Sequence, residues 1–484
     1  MVSQFALLIL GFFSQRAMNL YMGAELVGMN GVISNVINIL SVTELGISTA
    51  IVYHLYGAIA RKDEHEIASL MNLYRKAYHI FAVIIFAAGM VLLPFIHLFM
   101  KNNSYPLTYI RILYAMWLLR TVLSYLLTYR KSLLIADQKE YIASIAGLIL
   151  NITSYGAIIL LVTYTQRYLT ALAFNIVVEV LLNLWISWYV EKKYPFLHEM
   201  RKEKSLPHLT SRIMKDLKSL FISRVSEKML NCTDNLIISG FIGVATVGRY
   251  ANYSMITQAI INILTILANT IQPTIGDYFT EKNYRRNYEI LRQITFVFFC
   301  ISSVVAVGLF SLITPFVRDI WLGPSYELGW GTAVLCIVVL MVRIMGLPLN
   351  MVMGVTGLFE KEKNVGASSA IVKPYGMTGV LLGTLVSYLL QICYRYIIFF
   401  RDFLQMREEA LRYARDLGEY LAVMAAEVAL MQKVVPIVYG NGGMVLFCIC
   451  FLLCILVPLA LDAVFFGRGW RLQSIVRMVR GMRR

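Results

Sequence analysis

Residues 23–62 read GAELVGMNGVISNVINILSVTELGISTAIVYHLYGAIARK, and they indicate which class of protein this is. The stretch opens on a glycine-rich turn and then runs apolar for longer than the about 20 residues that cross a bilayer. Glu44 lies in its middle, and Arg61 and Lys62 end it. A carboxylate at that depth costs about 2.5–3.5 kcal/mol on insertion scales, so Glu44 should face protein or water. It either makes a polar contact between helices or lines a cavity in the membrane.

The composition of the whole chain is that of a polytopic membrane protein. The chain has 484 residues, of which 58% are hydrophobic and 15% are charged. Soluble domains carry about 25% charged residues. The net charge of +16 comes from short clusters of Lys and Arg between apolar runs, as the positive-inside rule requires, so it does not indicate nucleic-acid binding.

The apolar runs predict an all-α fold with about 13 membrane spans. The connections alternate between basic and poorly charged segments, which places the basic connections and the N-terminus in the cytoplasm. The predicted spans are residues 2–21, 27–57, 77–100, 107–128, 141–164, 168–190, 217–241, 246–276, 293–316, 330–356, 376–400, 417–438 and 442–466.

The longest connection divides the chain into two predicted six-helix lobes around a central cavity. The N-terminal lobe is residues 1–190, the cytoplasmic linker 191–216, and the C-terminal lobe 217–400. Extra C-terminal helices follow at 401–466, and a basic amphipathic tail at 467–484 should lie on the anionic cytoplasmic surface.

A short internal repeat supports two lobes. Residues 23–28, GAELVG, resemble residues 243–248, GVATVG, and INIL follows each of them, at 37–40 and at 261–264. Two lobes built from one repeat, with a site between them, form a transporter architecture. Chance remains an alternative for so short a match.

Ionisable residues recur inside the predicted spans. Arg224, Glu227 and Lys228 share one face of a helix with Asn231, and Asp234 lies close to that face. Such a face cannot point at lipid, so it forms either an ion-paired seam between helices or the wall of a polar cavity. The predicted carriers of a proton or another cation are Glu44, Glu179 and Asp234.

No pattern in the sequence points to catalysis. There is no phosphate-binding glycine loop with Lys and Ser or Thr, so ATP hydrolysis is not expected. The seven cysteines lie in apolar runs without metal-ligand spacing. We therefore expect no enzyme activity, no metal and no cofactor, and any driven transport would use ion coupling or a substrate gradient.

An ordered set of motifs resembles the polysaccharide flippases of the multidrug/oligosaccharidyl-lipid/polysaccharide exporter superfamily. These proteins move O-antigen and capsule repeat units. The resemblance covers most of the chain, and it is carried by GAELVGMNG at 23–31, ELGISTAI at 44–51, SLLIADQK at 132–139, TDNLIISGFIG at 233–243 and GLF at 357–359.

The resemblance implies a cavity between the lobes in which cationic residues contact a lipid pyrophosphate. Arg binds phosphate oxygens bidentately and stays charged when desolvated. Arg16 and Arg224 match family positions, whereas Arg249 lies where the family often has Tyr, so its role is an inference. The family has 14 spans, and here residues 360–376 hold only a short apolar run where it has a whole span. Residues 417–438 also form a weak span because of Glu419, Glu427 and Lys433.

The implied function is translocation of undecaprenyl-pyrophosphate-linked oligosaccharide repeats across the cytoplasmic membrane by alternating access. The products would be O-antigen lipopolysaccharide, capsule or a similar polysaccharide, and the expected partners are the lipid-linked substrate, membrane lipids, a polysaccharide polymerase and glycosyltransferases. The alternatives are a multidrug or organic-ion exporter of the same superfamily, a membrane polysaccharide polymerase or acyltransferase, and an inactive transporter that lacks one span.

Overall fold

The protein is described here by a computed structural model covering residues 2–41, 47–200, 234–280, 283–356, 376–404, 407–440 and 442–467. Every regular element within these ranges is a helix, which confirms the predicted all-α class. The chain divides into two compact units, Met1–Ala251 and Asn252–Arg484. The predicted lobe boundaries stay a prediction.

Apart from the short helices Thr163–Thr165 and Phe196–Glu199, the described residues of unit 1 form eight helices and the start of a ninth. A 3-10 turn over Leu93–Phe99 extends α3, and a π-helical turn over Ile158–Val162 extends α6. The helices are α1 Val2–Leu40, α2 Ile47–Arg61, α3 Glu64–Leu92, α4 Leu107–Thr128, α5 Lys131–Ala136, α6 Glu140–Ala157, α7 Tyr168–Lys193, α8 over residues 234–241, and α9 Val244–Thr280.

The described residues of unit 2 form the rest of α9 and five further α-helices. They are α10 Tyr284–Pro315, α11 Trp330–Thr356, α12 Gly376–Ile398, α13 Arg407–Tyr439 and α14 Met444–Phe466.

Ten helices in the described ranges are long and apolar enough to cross a membrane, and each corresponds to one of the predicted spans. The agreement extends to both ends for α4 and α11, whose bounds are the predicted ones. The weak span at 417–438 is among the ten, within Glu408–Tyr439. The total of 13 spans stays a prediction, because some of the predicted spans contain residues that the structure does not describe. The short segment at 360–376 stays a prediction for the same reason.

The chain breaks between the first two predicted spans at Gly23, within the predicted turn at residues 21–26. Residues Val2–Leu40, labelled α1, form two helical segments that meet at a kink there, where Gly23 has φ 81° and ψ 166°. Only glycine adopts such a backbone conformation without steric cost, so a single residue supplies the break.

The first segments of the two repeat copies, residues 23–28 and 243–248, lie against each other within unit 1. A Cβ atom added to Gly28 would come 2.0 Å from the carbonyl oxygen of Val244. A Cβ atom added to Gly248 would come 1.8 Å from the carbonyl oxygen of Ala24. The contacts are reciprocal, since Gly28 and Gly248 occupy equivalent repeat positions, as do Ala24 and Val244. Small residues of this kind let helix backbones touch in a membrane.

A polar cluster joins the α5–α6 turn to the end of α7. The Lys139 ammonium and the Tyr194 hydroxyl both donate to Oδ2 of Asp137, and the ammonium lies 5.8 Å from the centroid of the Tyr194 ring. Burial alone would raise the pKa of Asp137, but the hydrogen bonds from Lys139 and Tyr194 outweigh burial and hold that pKa below its usual value. The ionised carboxylate therefore stabilises this turn.

We expect Asp137→Asn to lower the stability at neutral pH by about 1 kcal/mol, because water still screens the cluster. A carboxyl with a lowered pKa stabilises the fold above its unfolded pKa, near 4, and loses that effect as the pH falls through its folded pKa. The difference between the variant and the wild-type chain should therefore disappear in acid. Thermal unfolding of the purified chain in detergent at several pH values measures this, and an equal difference at all pH values would contradict the prediction. Lys131→Gln, at the other end of α5, is the control.

Helices α10, α13 and α14 pack together in unit 2. Their shared apolar cluster includes Val307, Met431, Val435, Cys450 and Cys454, all at least nine-tenths buried. Polar contacts also join α10 to α13 near the start of α10. There Arg292 forms a 2.5 Å ion pair with Asp416, and the hydroxyls of Thr295 and Tyr413 are 3.0 Å apart.

Candidate functional site

A polar cavity of about 370 Å³ lies within unit 1, inside the predicted membrane spans. Its wall is formed by α1, α3, α4 and α7 together with Ser41. The lining side chains are Ser34, Ile37, Asn38, Ser41, Tyr78, Trp117, Arg120, Thr121, Ser124, Tyr125, Thr128 and Glu179.

Helix α1 contributes a polar stripe with helical spacing. Asn30, Ser34, Asn38 and Ser41 recur every three or four residues, so they share one face of an otherwise apolar helix. The Ser41 hydroxyl donates to the Ile37 carbonyl 2.9 Å away and keeps its acceptor capacity. None of these four was a predicted site residue, although their spacing alone could have identified them.

Helix α4 faces this stripe with a matching set of residues. Trp117, Thr121, Ser124 and Thr128 lie three or four residues apart, with Arg120 beside Thr121. The Trp117 indole Nε1 donates to Asn30 Oδ1 across 3.0 Å and so ties α4 to α1. Two polar stripes that face each other within a membrane span are costly unless they bind something polar or enclose water.

The charged group of the cavity is an ion pair between α4 and α7. Arg120 Nε donates to Glu179 Oε2 at 2.6 Å, and the exposed fractions of the two side chains are 27% and 14%. The guanidinium carbon lies 5.3 Å from the centroid of the Trp117 ring. Because the contact with Glu179 uses Nε, the two Nη groups can donate to a group that enters the cavity.

A second ion pair joins the turn between α4 and α5 to α7. Arg130 in that turn contacts Glu191 of α7 at 2.5 Å. Arg130 lines neither this cavity nor the second one described below. The Arg120–Glu179 pair therefore lines the cavity, whereas the Arg130–Glu191 pair lies outside it.

A second cavity, of about 620 Å³, lies in unit 1 near the kink of α1, where α4 and α7 begin. Its wall is rich in tyrosine, and the rings of Tyr105 and Tyr109 stack with centroids 5.0 Å apart. Burial, with the Glu25 carboxylate nearby, raises the pKa of the Tyr105 hydroxyl. The lining residues are Tyr21, Met22, Tyr105, Tyr109, Gln166, Arg167, Tyr168, Leu169 and Thr170.

The predicted site residues fall into three groups. Glu179 lines the first cavity and is paired with Arg120. Arg16 on α1 and Arg249 on α9 are exposed and line neither cavity, while Asp234 is half-buried at the start of α8. Glu44 and Arg224 lie outside the described residues.

Two aromatic residues of the first cavity, Trp117 and Tyr125, offer ring faces to a bound molecule. Tyr253, in contrast, is fully buried in unit 2 and accepts a hydrogen bond from the Leu328 amide. It is therefore a packing residue. No group of three or more metal-binding side chains occurs among the described residues.

The sequence matches one family model, and the fold matches solved structures of membrane transporters. The family model described as "Polysaccharide biosynthesis protein" matches residues 1–279, which is more than half of the chain. The solved structure "Lipid II flippase MurJ, inward closed conformation" has a TM-score of 0.65 and 18% identity, over 96% of this chain and 98% of that one.

Two MATE transporters share the fold as well. An inward-facing multidrug resistance MATE family transporter of the MOP superfamily has a TM-score of 0.62 and 13% identity, over 82% of this chain and 97% of that one. A MATE transporter of Vibrio cholerae has a TM-score of 0.51 and 11% identity, over 84% and 98%. No curated protein sequence matches this chain significantly. At these identities the structural likeness concerns the fold alone.

Proposed function

Because this chain belongs to the polysaccharide biosynthesis protein family, we propose that it is a flippase for lipid-linked saccharides. Its substrate is an undecaprenyl-pyrophosphate-linked oligosaccharide repeat unit, which it moves from the cytoplasmic to the outer leaflet of the cytoplasmic membrane. The repeat unit is made by glycosyltransferases and then joined by a polymerase into O-antigen, capsule or a similar polysaccharide. The N-terminus and the basic connections lie in the cytoplasm.

The observation that supports this function is the polar cavity of unit 1. Serine, threonine and asparagine side chains line it beside Trp117 and Tyr125, a combination suited to sugar hydroxyls and ring faces. Arg120 adds hydrogen-bond donors for a phosphate oxygen. A span that only packs against its neighbours would not need this polar wall.

The Arg120–Glu179 ion pair of the cavity provides a way to couple substrate binding to the binding of a proton or another cation. While Glu179 is ionised, it holds Arg120 through Nε. A proton or another cation on Glu179 would weaken this contact and free the guanidinium for an anionic group. Glu44 and Asp234 are further proposed coupling residues, while Arg16, Arg224 and Arg249 are proposed contacts for the pyrophosphate.

Complementation of a flippase-deletion strain tests this function. We expect the wild-type chain to restore surface polysaccharide and to clear lipid-linked repeats from the cytoplasmic leaflet. Arg16→Ala and Arg224→Ala, compared at matched membrane levels, should not restore it. Rescue by both variants would make these two arginines structural. No rescue by a stable wild-type chain, with repeats still trapped inside, would reject this substrate, and new resistance to organic cations would instead favour a multidrug exporter.

A further inference from the structure

Two carboxyl groups are buried inside unit 2, away from both cavities described above. Glu427 of α13 is 1% exposed, and Asp462 of α14 is 4% exposed. The bundle of α10, α13 and α14 encloses them. Glu427 lies about 18 Å from the Tyr439 end of its helix at 1.5 Å per residue, which is deep within a membrane span.

The hydrogen bonding of these two groups is incomplete. The Ser303 hydroxyl of α10 donates to Glu427 Oε2. Glu427 Oε1 and both oxygens of Asp462 are buried and have no N–H or O–H donor among the described residues, and the neighbour of Asp462 is the Cys300 thiol, a weak donor. Neither carboxyl forms an ion pair with a described Lys or Arg side chain. By contrast, Asp416, which lies on the same helix as Glu427, is paired with Arg292 of α10.

The neighbours of the pair are apolar or weakly polar. The Cys300 thiol of α10 interacts with both carboxyl groups, and the two carboxyl groups interact electrostatically with each other. Around them the rings of Phe299, Tyr420 and Phe466 pack with centroids 4.5–5.6 Å apart. The titratable groups that interact with the pair are thus the Cys300 thiol and the two carboxyls themselves.

This environment cannot hold two negative charges. In an apolar interior, protonating an isolated carboxylate costs less free energy than burying its charge. A second carboxylate beside it adds repulsion and favours protonation further. A hard metal cation would need about six oxygen ligands, whereas the site offers four carboxylate oxygens and one hydroxyl within a wall of rings. A proton satisfies the pair without further ligands.

We propose that Glu427 and Asp462 form a proton-binding site inside the α10–α13–α14 bundle and hold at least one proton at neutral pH. The proton turns one carboxyl into a hydrogen-bond donor for the oxygens that otherwise have no partner. Its release leaves a buried negative charge, which requires water or a movement of α13 or α14. The bundle therefore couples its packing to proton exchange, whichever solute the chain transports.

Infrared spectroscopy of the full-length chain in lipid nanodiscs tests the proposal. A protonated carboxyl gives a C=O stretch that is separate from the bands of carboxylates and shifts in D₂O. We expect this band at neutral pH in the wild-type chain and its loss in the double variant Glu427→Gln/Asp462→Asn. Asp416→Asn, on the same helix but next to Arg292, should keep the band.

Other results would overturn the proposal. A band of unchanged size in the double variant would assign the proton elsewhere. Absence of the band from the wild-type chain would mean that the pair is ionised. Loss of the band when Na⁺ replaces K⁺ at constant pH would make the pair a sodium site. Both substitutions mimic the neutral carboxyl and should be tolerated. If the double variant does not elute as a single species in size-exclusion chromatography, the two single variants provide the same test. Each of them should then reduce the band.

Discussion

Gly248→Ala will destabilise the chain by about 3 kcal/mol, because its new methyl group has no room against α1. That Cβ atom would come 1.8 Å from the Ala24 carbonyl oxygen. The obstructing atom belongs to the backbone, so no side-chain rotation can relieve the clash, and α9 must move away from α1. Gly28→Ala should have a similar effect, since its Cβ atom would come 2.0 Å from the Val244 carbonyl oxygen.

Gly147→Ala in α6 is the matched control, because a Cβ atom there has no heavy atom within 4 Å. Alanine at an open helical position should be neutral or should stabilise the chain by up to about 1 kcal/mol. The midpoint of thermal unfolding, followed by size-exclusion chromatography of detergent-solubilised chain, separates the three variants. Equal midpoints for Gly248→Ala and Gly147→Ala would show that α1 and α9 do not touch in the folded protein.

Arg120→Leu will abolish complementation and destabilise unit 1 by about 3 kcal/mol. Removing one partner of a largely buried ion pair leaves the other charge uncompensated, whereas replacing both partners by apolar residues is often nearly neutral. Arg120→Leu/Glu179→Leu should therefore recover stability to within about 1 kcal/mol of the wild-type chain. It should not recover activity if the Arg120 guanidinium contacts the substrate.

Arg130→Leu controls for the structural part of this effect. It also removes an ion pair with α7, but one that Arg130 makes from the turn after α4, outside the cavity. We expect it to keep activity at matched membrane levels, with a modest loss of stability. Full activity of the Arg120→Leu/Glu179→Leu double variant would show that the cavity pair serves only to pack the helices.

These two experiments examine different parts of the fold. The glycine variants test the backbone contact between the two copies of the repeat. The Arg120 variants test whether the cavity in unit 1 acts on a substrate. A chain that keeps its stability in the Arg120→Leu/Glu179→Leu variant but loses activity would give the strongest support to the proposed transport function.

The chain's own residues determined its class, its spans and the locations of its charged groups. Hydropathy is a local property that can be summed along the chain, so ten apolar helices fall where the sequence predicts them. The repeat could also be recognised by inspection, because Gly28 and Gly248 occupy equivalent positions in two short similar segments.

Only the tertiary structure decided which of these residues meet. Glu179 was a predicted ion carrier, but its pairing with Arg120 depends on how α4 and α7 are rotated about their axes. In the sequence, Glu427 only weakened the prediction of a span at 417–438. Asp462, the single acidic residue of the most apolar helix, was not a predicted site residue. Their burial together beside Ser303 arises because α13 and α14, which are consecutive, pack against α10, which is distant from both in sequence. Local patterns set which segments enter the membrane, whereas helix packing is non-local and sets which polar groups share an interior.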